Sequence, residues 1–281
     1  RRVTGAEWAL LLLGALGFLA IGSFTNVVID RLPVALDEPN EHGELWETRP
    51  WSEVFGGRSR CSDCGAAVRP VDTIPVVSWL LLRGRCRPCG APIPAFHILV
   101  EVSVPLLFFG ALWAIGPHWS LLSALWMIPV GVAVSVIDLR TLMVPTSIVW
   151  PAFLVSIVLC ALAAGIEGQW GWLLSALVGA AALAVPLSLI WFAVPHGMGF
   201  GDIRLAALLG FTLGFYAQGS LWGAVFLSVL CLGGAAVLGV LMGVVALGAR
   251  GRGAKVPFGP ALVAGAFLCI AFSEQILDAF E

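Results

Sequence analysis

The scarcity of charged residues constrains the fold of this chain more than any other feature of its sequence. Only 11% of the 281 residues are Asp, Glu, Lys or Arg, whereas 59% are apolar and the mean hydropathy is +0.98. A soluble domain has about 25% charged and about 45–50% apolar residues. The composition argues against a soluble enzyme or a disordered chain, and a net charge of −2 provides no basic field for nucleic acid. We therefore predict an all-α polytopic membrane protein in contact with a lipid bilayer.

Eight apolar runs predict about eight transmembrane helices, because a helix needs roughly 17–25 residues to cross a bilayer. Seven of them are long, and the sixth in order, at residues 203–216, is short for a crossing. The seven long runs cover residues 8–29, 96–115, 121–137, 148–164, 172–194, 221–247 and 258–272. The predicted organisation is a first transmembrane helix at 1–29, a cytoplasmic insertion at 30–95 and a transmembrane core at 96–281.

The positions of the basic residues predict the orientation of these helices. Eight arginines lie between residues 31 and 87, Arg140 and Arg204 stand alone, and the last group is Arg250, Arg252 and Lys255. Basic loops face the cytoplasm in most membrane proteins. With eight crossings, the four basic groups are then cytoplasmic and both termini lie outside.

Two C-x-x-C pairs in the insertion indicate a metal site. The segments R-S-R-C-S-D-C-G-A and R-G-R-C-R-P-C-G-A repeat with an offset of 25 residues, and they contain Cys61, Cys64, Cys86 and Cys89. Two such pairs supply the four sulfur ligands of tetrahedral zinc, which leaves no open position for catalysis. Two disulfides or reduced thiols are the alternatives, although a cytosolic location argues against stable disulfides. We predict a structural zinc knuckle.

Three carboxylates lie in or beside apolar segments, where an ionisable group costs roughly 2.5–3.5 kcal/mol on insertion scales. They are Glu101, Asp138 and Asp202, and the last follows Gly199 and Gly201, which permit an irregular backbone. Asp138 and Asp202 fall at the predicted cytoplasmic ends of their helices. Two neighbouring carboxyl groups that share one proton can activate water and protonate a leaving amine. Aspartyl proteolysis and proton-coupled transport both remain open, and so does simple solvation or pairing of the acids with nearby arginines.

Several motifs, taken in order, resemble those of the prepilin peptidases, the type IV leader peptidase family of GxGD aspartic membrane proteases. The first is G-S-F-T-N-V-V-I-D-R-L-P at residues 22–33, followed by I-P-V-V-S-W at 74–79 and the cysteine pairs. Glu101 falls where the family has a glutamate in its second membrane segment. G-F-G-D at 199–202 and V-P-F-G-P at 256–260 complete the resemblance, which covers nearly the whole chain.

The resemblance implies a function and roles for individual residues. Asp138 and Asp202 would be the catalytic aspartates that cleave the basic leader of prepilins or pseudopilins at the cytoplasmic face of the bacterial inner membrane. Many family members then methylate the new N-terminus with S-adenosylmethionine, and the four cysteines would form the metal site of that bifunctional subgroup. One position departs from the family, because Thr146 follows Pro145 where many relatives have Asp.

Two other classes of function stay open on the sequence. The chain is alternatively a zinc-bearing scaffold that binds pilin-like helices without cleaving them, in which case replacing Asp202 leaves assembly intact. A proton-coupled transporter that uses the three carboxylates is the other alternative, although the sequence lacks the inverted repeats that are typical of transporters.

Overall fold

The computed structural model describes residues 5–38, 45–193, 199–250 and 256–279, and it divides the chain into two compact units, residues 1–109 and 110–281. Six of the described helices are long and apolar enough to cross a membrane. The prediction of an all-α polytopic membrane protein is confirmed. The organisation into segments 1–29, 30–95 and 96–281 stays a prediction, since the division between the units falls at residue 109 instead.

The first unit consists of two long helices and the insertion between them. Helix α1 covers Gly5–Arg31 and helix α4 covers Phe96–Ile115, whose last residues belong to the second unit. The insertion contains strands β1 (Pro33–Ala35) and β2 (Trp46–Thr48), helices α2 (Trp51–Val54) and α3 (Val77–Leu81), and a 3₁₀ turn at Pro70–Thr73. The strands pair antiparallel, a small sheet that the sequence did not indicate.

The described residues of the second unit form seven further helices in sequence. They are α5 (Leu121–Thr141), α6 (Thr146–Glu167), α7 (Gly171–Ala193), α8 (Phe200–Tyr216), α9 (Leu221–Arg250), α10 (Gly259–Ala271) and α11 (Ser273–Asp278). Helices α8 and α10, with 17 and 13 residues, are shorter than the six candidate spans. Arg252 and Lys255, from the last predicted basic group, lie outside the described residues.

Glycines bring α7 and α8 into direct backbone contact. A Cβ added to Gly210 or Gly214 of α8 would overlap the carbonyl oxygen of Gly179 or Ser175 of α7. The spacing G-x-x-x-G in α8 faces S-x-x-x-G in α7, which is the small-residue pattern that lets membrane helices approach closely. This packing makes α8 the central helix of the second unit.

Burial separates the core of the second unit from its lipid-facing surface. Thirteen of the 17 residues of α8 are buried, whereas large apolar side chains on other helices are exposed, among them Leu154, Leu174, Leu189 and Val240. Exposed leucine and valine side chains suit contact with lipid tails. Asp202, in the first turn of α8, is among the buried residues.

Candidate functional site

Asp138 lies in the last turn of α5 and its side chain is buried, with 4% of the residue exposed. The helix ends at Thr141, and Leu142, at φ +55°, donates its N–H to the Asp138 carbonyl oxygen at 2.8 Å. The Oδ2 atom of Asp138 accepts a hydrogen bond of 2.9 Å from the backbone N–H of Gly259. The end of α5 is thereby joined to the start of α10 through the carboxylate itself.

Gly259 is required by this contact. A Cβ at that position would lie 2.8 Å from Asp138 Oδ2, closer than a real Cβ atom approaches another heavy atom. The sequence contained a signal for this residue, the V-P-F-G-P segment, but did not indicate that its glycine touches an aspartate.

Asp202 occupies the first turn of α8, with 8% of the residue exposed. Its backbone N–H donates to the carbonyl oxygen of Gly199 at 3.2 Å. The carboxyl group of Asp202 is close enough to Asp138 for their charges to interact. The two aspartates, 64 positions apart in the sequence (202 − 138), therefore lie near one another at one end of the second unit.

The two glycines before Asp202 have different roles. A Cβ at Gly201 would lie 2.8 Å from Val144 Cβ and 2.9 Å from Val144 O, so only glycine lets α8 begin against the linker between α5 and α6. A Cβ at Gly199 would lie 3.6 Å from Asp202 Oδ2, an ordinary contact distance. Gly199 is therefore not required for packing; it leaves open the space beside the carboxylate.

Arg204 connects the first turn of α8 to the start of α6. Its Nη1 donates a hydrogen bond to Thr146 Oγ1, and its guanidinium lies 4.6 Å from the centroid of the Phe200 ring. The sequence analysis noted Thr146 only as a departure from the family, and it considered Arg204 as a basic residue of the cytoplasmic face or a partner of an acid. Within the described ranges, no ion pair joins Asp138 or Asp202 to a basic residue.

The two C-x-x-C segments of the first unit form matching turns. In the first, Cys61 N–H bonds to Ala66 O and Gly65 N–H to Cys61 O, both at 3.0 Å; in the second, Cys86 and Gly90 make the equivalent bonds at 2.8 Å. Gly65 and Gly90 have φ of +68° and +73°, which favours glycine after each second cysteine. The sequence repeat is thus a repeat of structure.

The four thiols of these turns converge on one point. All four sulfur atoms lie within 4.8 Å of one another, and Cys61 Sγ is 3.8 Å from Cys89 Sγ, which is too far for a disulfide. Tetrahedral zinc with Zn–S bonds of about 2.3 Å sets a sulfur–sulfur spacing of about 3.8 Å, close to this distance. Hydrogen bonds from the backbone of Cys64 and Asp63 lower the pKa of Cys61 to about 7, which favours the thiolate that metals bind. The donor set therefore fits a metal ion.

Glu101 lies in α4 and holds the insertion. Its Oε2 accepts a 2.7 Å hydrogen bond from the backbone N–H of Val76, a β-branched residue at φ +62°, where such side chains are strained. The backbone of α4 at Glu101 is also close to α1, since a Cβ at Gly22 would lie 3.1 Å from Glu101 Cα. Glu101 therefore belongs to the first unit as a residue that fixes a strained turn.

Comparison with known proteins identifies both units. Residues 16–115 match the bacterial peptidase A24 N-terminal domain, and residues 122–273 match the type IV leader peptidase family. No solved structure matches the chain significantly.

Full-length relatives lead to the same family. A prepilin leader peptidase/N-methyltransferase of Aeromonas hydrophila is 32% identical over 97% of this chain and 94% of its own length. Proteins of the same name from Burkholderia pseudomallei (strain 1026b) and Myxococcus xanthus are 33% and 34% identical, over 90% and 83% of this chain and 82% and 62% of their own lengths. The chain belongs to the type IV leader peptidase family.

Proposed function

We propose that Asp138 and Asp202 are the catalytic carboxylates of a membrane-embedded aspartic endopeptidase that removes the leader of type IV prepilins or pseudopilins. The observation that carries the proposal is the convergence of two buried aspartates at one end of the second unit. Membership of the type IV leader peptidase family supports prepilin leader cleavage as the activity of this chain. Neither the scaffold nor the transporter alternative is favoured by a relative.

The two carboxyl groups divide the proton transfers of the reaction between them. One of them, ionised, takes a proton from the attacking water. The other holds the shared proton and gives it to the nitrogen of the leaving amine. The open space beside Gly199 provides room for the scissile peptide next to Asp202.

Arg204 and Gly201 position this pair and do not take part in proton transfer. The bond from Arg204 to Thr146 and the close approach of Gly201 to Val144 both attach the first turn of α8 to the linker that follows Asp138. The distance between the carboxyl groups is thereby set by the α5–α6 linker. A threonine suffices at position 146, because Arg204 needs only an acceptor oxygen there.

The end of the second unit that carries the aspartates faces the cytoplasm in our proposal. Arg140 and Arg204 lie at this end, whereas the opposite end carries the acids Glu167, Glu274 and Asp278. Basic residues remain on the cytoplasmic side of bacterial membranes. A substrate whose basic leader stays in the cytoplasm would then present its cleavage site to the aspartates.

Cys61, Cys64, Cys86 and Cys89 hold a structural zinc ion in the proposal. Four thiolates complete a tetrahedral shell, so the ion would stabilise the insertion and would not bind water or substrate. The second activity, N-methylation of the new N-terminus, comes from the family and the names of the relatives. S-adenosylmethionine would supply the methyl group.

The test incubates the purified full-length protein, in a membrane mimic, with a prepilin and follows the released leader by mass spectrometry. Wild-type protein should release the leader, Asp202→Asn should not, and Asp278→Asn, an exposed acid at the opposite end of the unit, should match wild type. Intact prepilin after incubation with wild-type protein would contradict the proposal. S-adenosylmethionine in the same reaction should add the mass of one methyl group to the mature chain.

A further inference from the structure

Four polar residues of the first unit lie where α1 packs against α4. Asn26 and Asp30 are one turn apart on α1, and His97 and Glu101 are one turn apart on α4. We call these four residues the α1–α4 polar cluster. Asn26 Nδ2 donates a 2.9 Å hydrogen bond to the His97 carbonyl oxygen, and His97 Nε2 lies 3.4 Å from Asp30 Oδ2. Neither the cleavage site nor the metal site uses Asn26, Asp30 or His97.

One hydrogen-bond acceptor of the α1–α4 polar cluster lacks a donor among the described residues. Asn26 is 5% exposed, and its Oδ1 accepts no hydrogen bond from any residue that the structure describes. A buried acceptor without a donor is unfavourable and is rare in folded proteins. The orphaned oxygen therefore points to a ligand that brings an N–H or O–H group.

The charges of the cluster restrict the chemistry of that ligand. The carboxylates of Asp30 and Glu101 and the amide oxygen of Asn26 are all acceptors, so together they suit a cation rich in N–H donors. An α-ammonium group, the product of leader cleavage, is such a cation. The carboxylate of Asp30 lies beside His97 Nε2, where it can orient the imidazole ring, as in other carboxylate–histidine pairs.

We propose that the α1–α4 polar cluster is the methylation centre, where Asn26 and Asp30 bind the new α-amino group of the processed substrate and His97 takes its proton. This proposal rests on the N-methyltransferase activity of the proposed function. His97 Nδ1 accepts one proton from the ammonium group, and the freed nitrogen lone pair forms a bond to the methyl carbon as the carbon–sulfur bond breaks. The electron pair of that bond would stay on sulfur, so that the sulfonium of the methyl donor would become a thioether and the amine a secondary ammonium ion.

The first test measures both activities in one reaction that contains a prepilin and S-adenosylmethionine. His97→Asn should lower the rate of methylation by about 10²-fold or more, the contribution typical of a general base, while leader release stays within about twofold of wild type. His118→Asn, the same change at an exposed histidine of the second unit, should alter neither rate. Exogenous imidazole should partly restore methylation by His97→Ala.

The second test needs no methyl donor. Wild-type protein should bind a processed, unmethylated pilin segment about tenfold or more tightly than the same segment with an acetylated N-terminus. Asn26→Leu and Asp30→Asn should reduce the ratio of the two affinities towards one, and Asp278→Asn should leave this ratio unchanged.

Three results would overturn the proposal. Methylation by His97→Asn at the wild-type rate would show that His97 is not the base. Equal loss of cleavage and methylation would show that the cluster only supports the fold. A wild-type protein that binds both segments equally would exclude amine recognition. If wild-type protein cleaves without methylating, the methyltransferase function itself fails, and the binding preference then decides whether the cluster recognises the amine.

Discussion

The cysteine turns of the first unit and the aspartate site of the second unit differ in how their residues are brought together. The turns are local, with the ligands of each pair three positions apart, and their cysteines are exposed or half-buried. The aspartate site joins α5, α8 and α10 through contacts such as Asp138–Gly259, which spans 121 positions and is buried. The comparison teaches that one site is determined by the spacing of its ligands and the other by the packing of helices.

The insertion buries few residues. Among described residues between 31 and 95, only Leu32, Val54 and Gly84 are buried, which is too little for a hydrophobic core. Metal binding supplies folding free energy directly in such small segments. In the second unit, by contrast, the close contact of α7 and α8 provides the stability and no ion is needed to explain it.

The largest expected effect comes from blocking the helix contact. Gly214→Leu places a side chain on Ser175 O and Ala176 Cα, so we expect it to destabilise the second unit by more than about 3 kcal/mol and to abolish leader cleavage. Thermal unfolding and cleavage assays check this. Gly233→Leu is the matched control, because a Cβ there meets no atom within 4 Å. A stable, active Gly214→Leu protein would contradict the packing account.

Removing one thiol should destabilise the first unit and leave the stability of the second unit unchanged. Cys61→Ala should reduce the bound zinc from about one per chain to a small fraction, since three ligands hold zinc poorly. Elemental analysis of the purified protein measures the loss, and the main thermal transition of the helical core should not move. Cys269→Ala, which changes a buried cysteine of α10, should keep the zinc. Equal zinc content in the two variants would show that the turns do not bind it.

Thr146→Val tests the link between α6 and α8 with a change of nearly equal shape. Loss of the bond from Arg204 leaves a charged donor without its acceptor, and we expect kcat for cleavage to fall about tenfold with little change in KM. Thr141→Val, which removes a bond only to Ile137 O within α5, serves as the control. If both variants cleave at the wild-type rate, Arg204 does not position Asp202.

The smallest effect is expected at Glu101. Glu101→Leu removes the acceptor of Val76 N–H, so the strained turn should open more often, and the Val76 amide should exchange its hydrogen about tenfold faster. Glu101→Gln keeps an acceptor oxygen and should exchange at close to the wild-type rate. Hydrogen exchange followed by mass spectrometry distinguishes the two variants. If the Val76 amide exchanges at the wild-type rate in Glu101→Leu, Glu101 does not stabilise this turn.

The same contrast explains what the sequence could predict. The cysteine repeat carries its geometry in its spacing, and scarce charge with long apolar runs is enough to predict a membrane protein of helices. The roles of Gly259, Gly201 and Arg204 depend on which helix ends meet, and residue spacing does not encode that. The meeting of Asp138 and Asp202 was expected from their similar depth and from the resemblance to a family. The G-x-x-x-G of α8 was visible in the sequence, but only the structure shows that it faces α7.

The most direct test of the central claim compares Asp138→Asn, Asp202→Asn and the double variant for cleavage of one prepilin under identical conditions. If the two carboxyl groups act as a unit, each single change should lower the cleavage rate by about 10²- to 10⁴-fold or more, and the double change should lower it no further. Cleavage by either single variant at a rate near that of wild type, or losses that multiply in the double variant, would contradict the assignment of these aspartates as one catalytic pair.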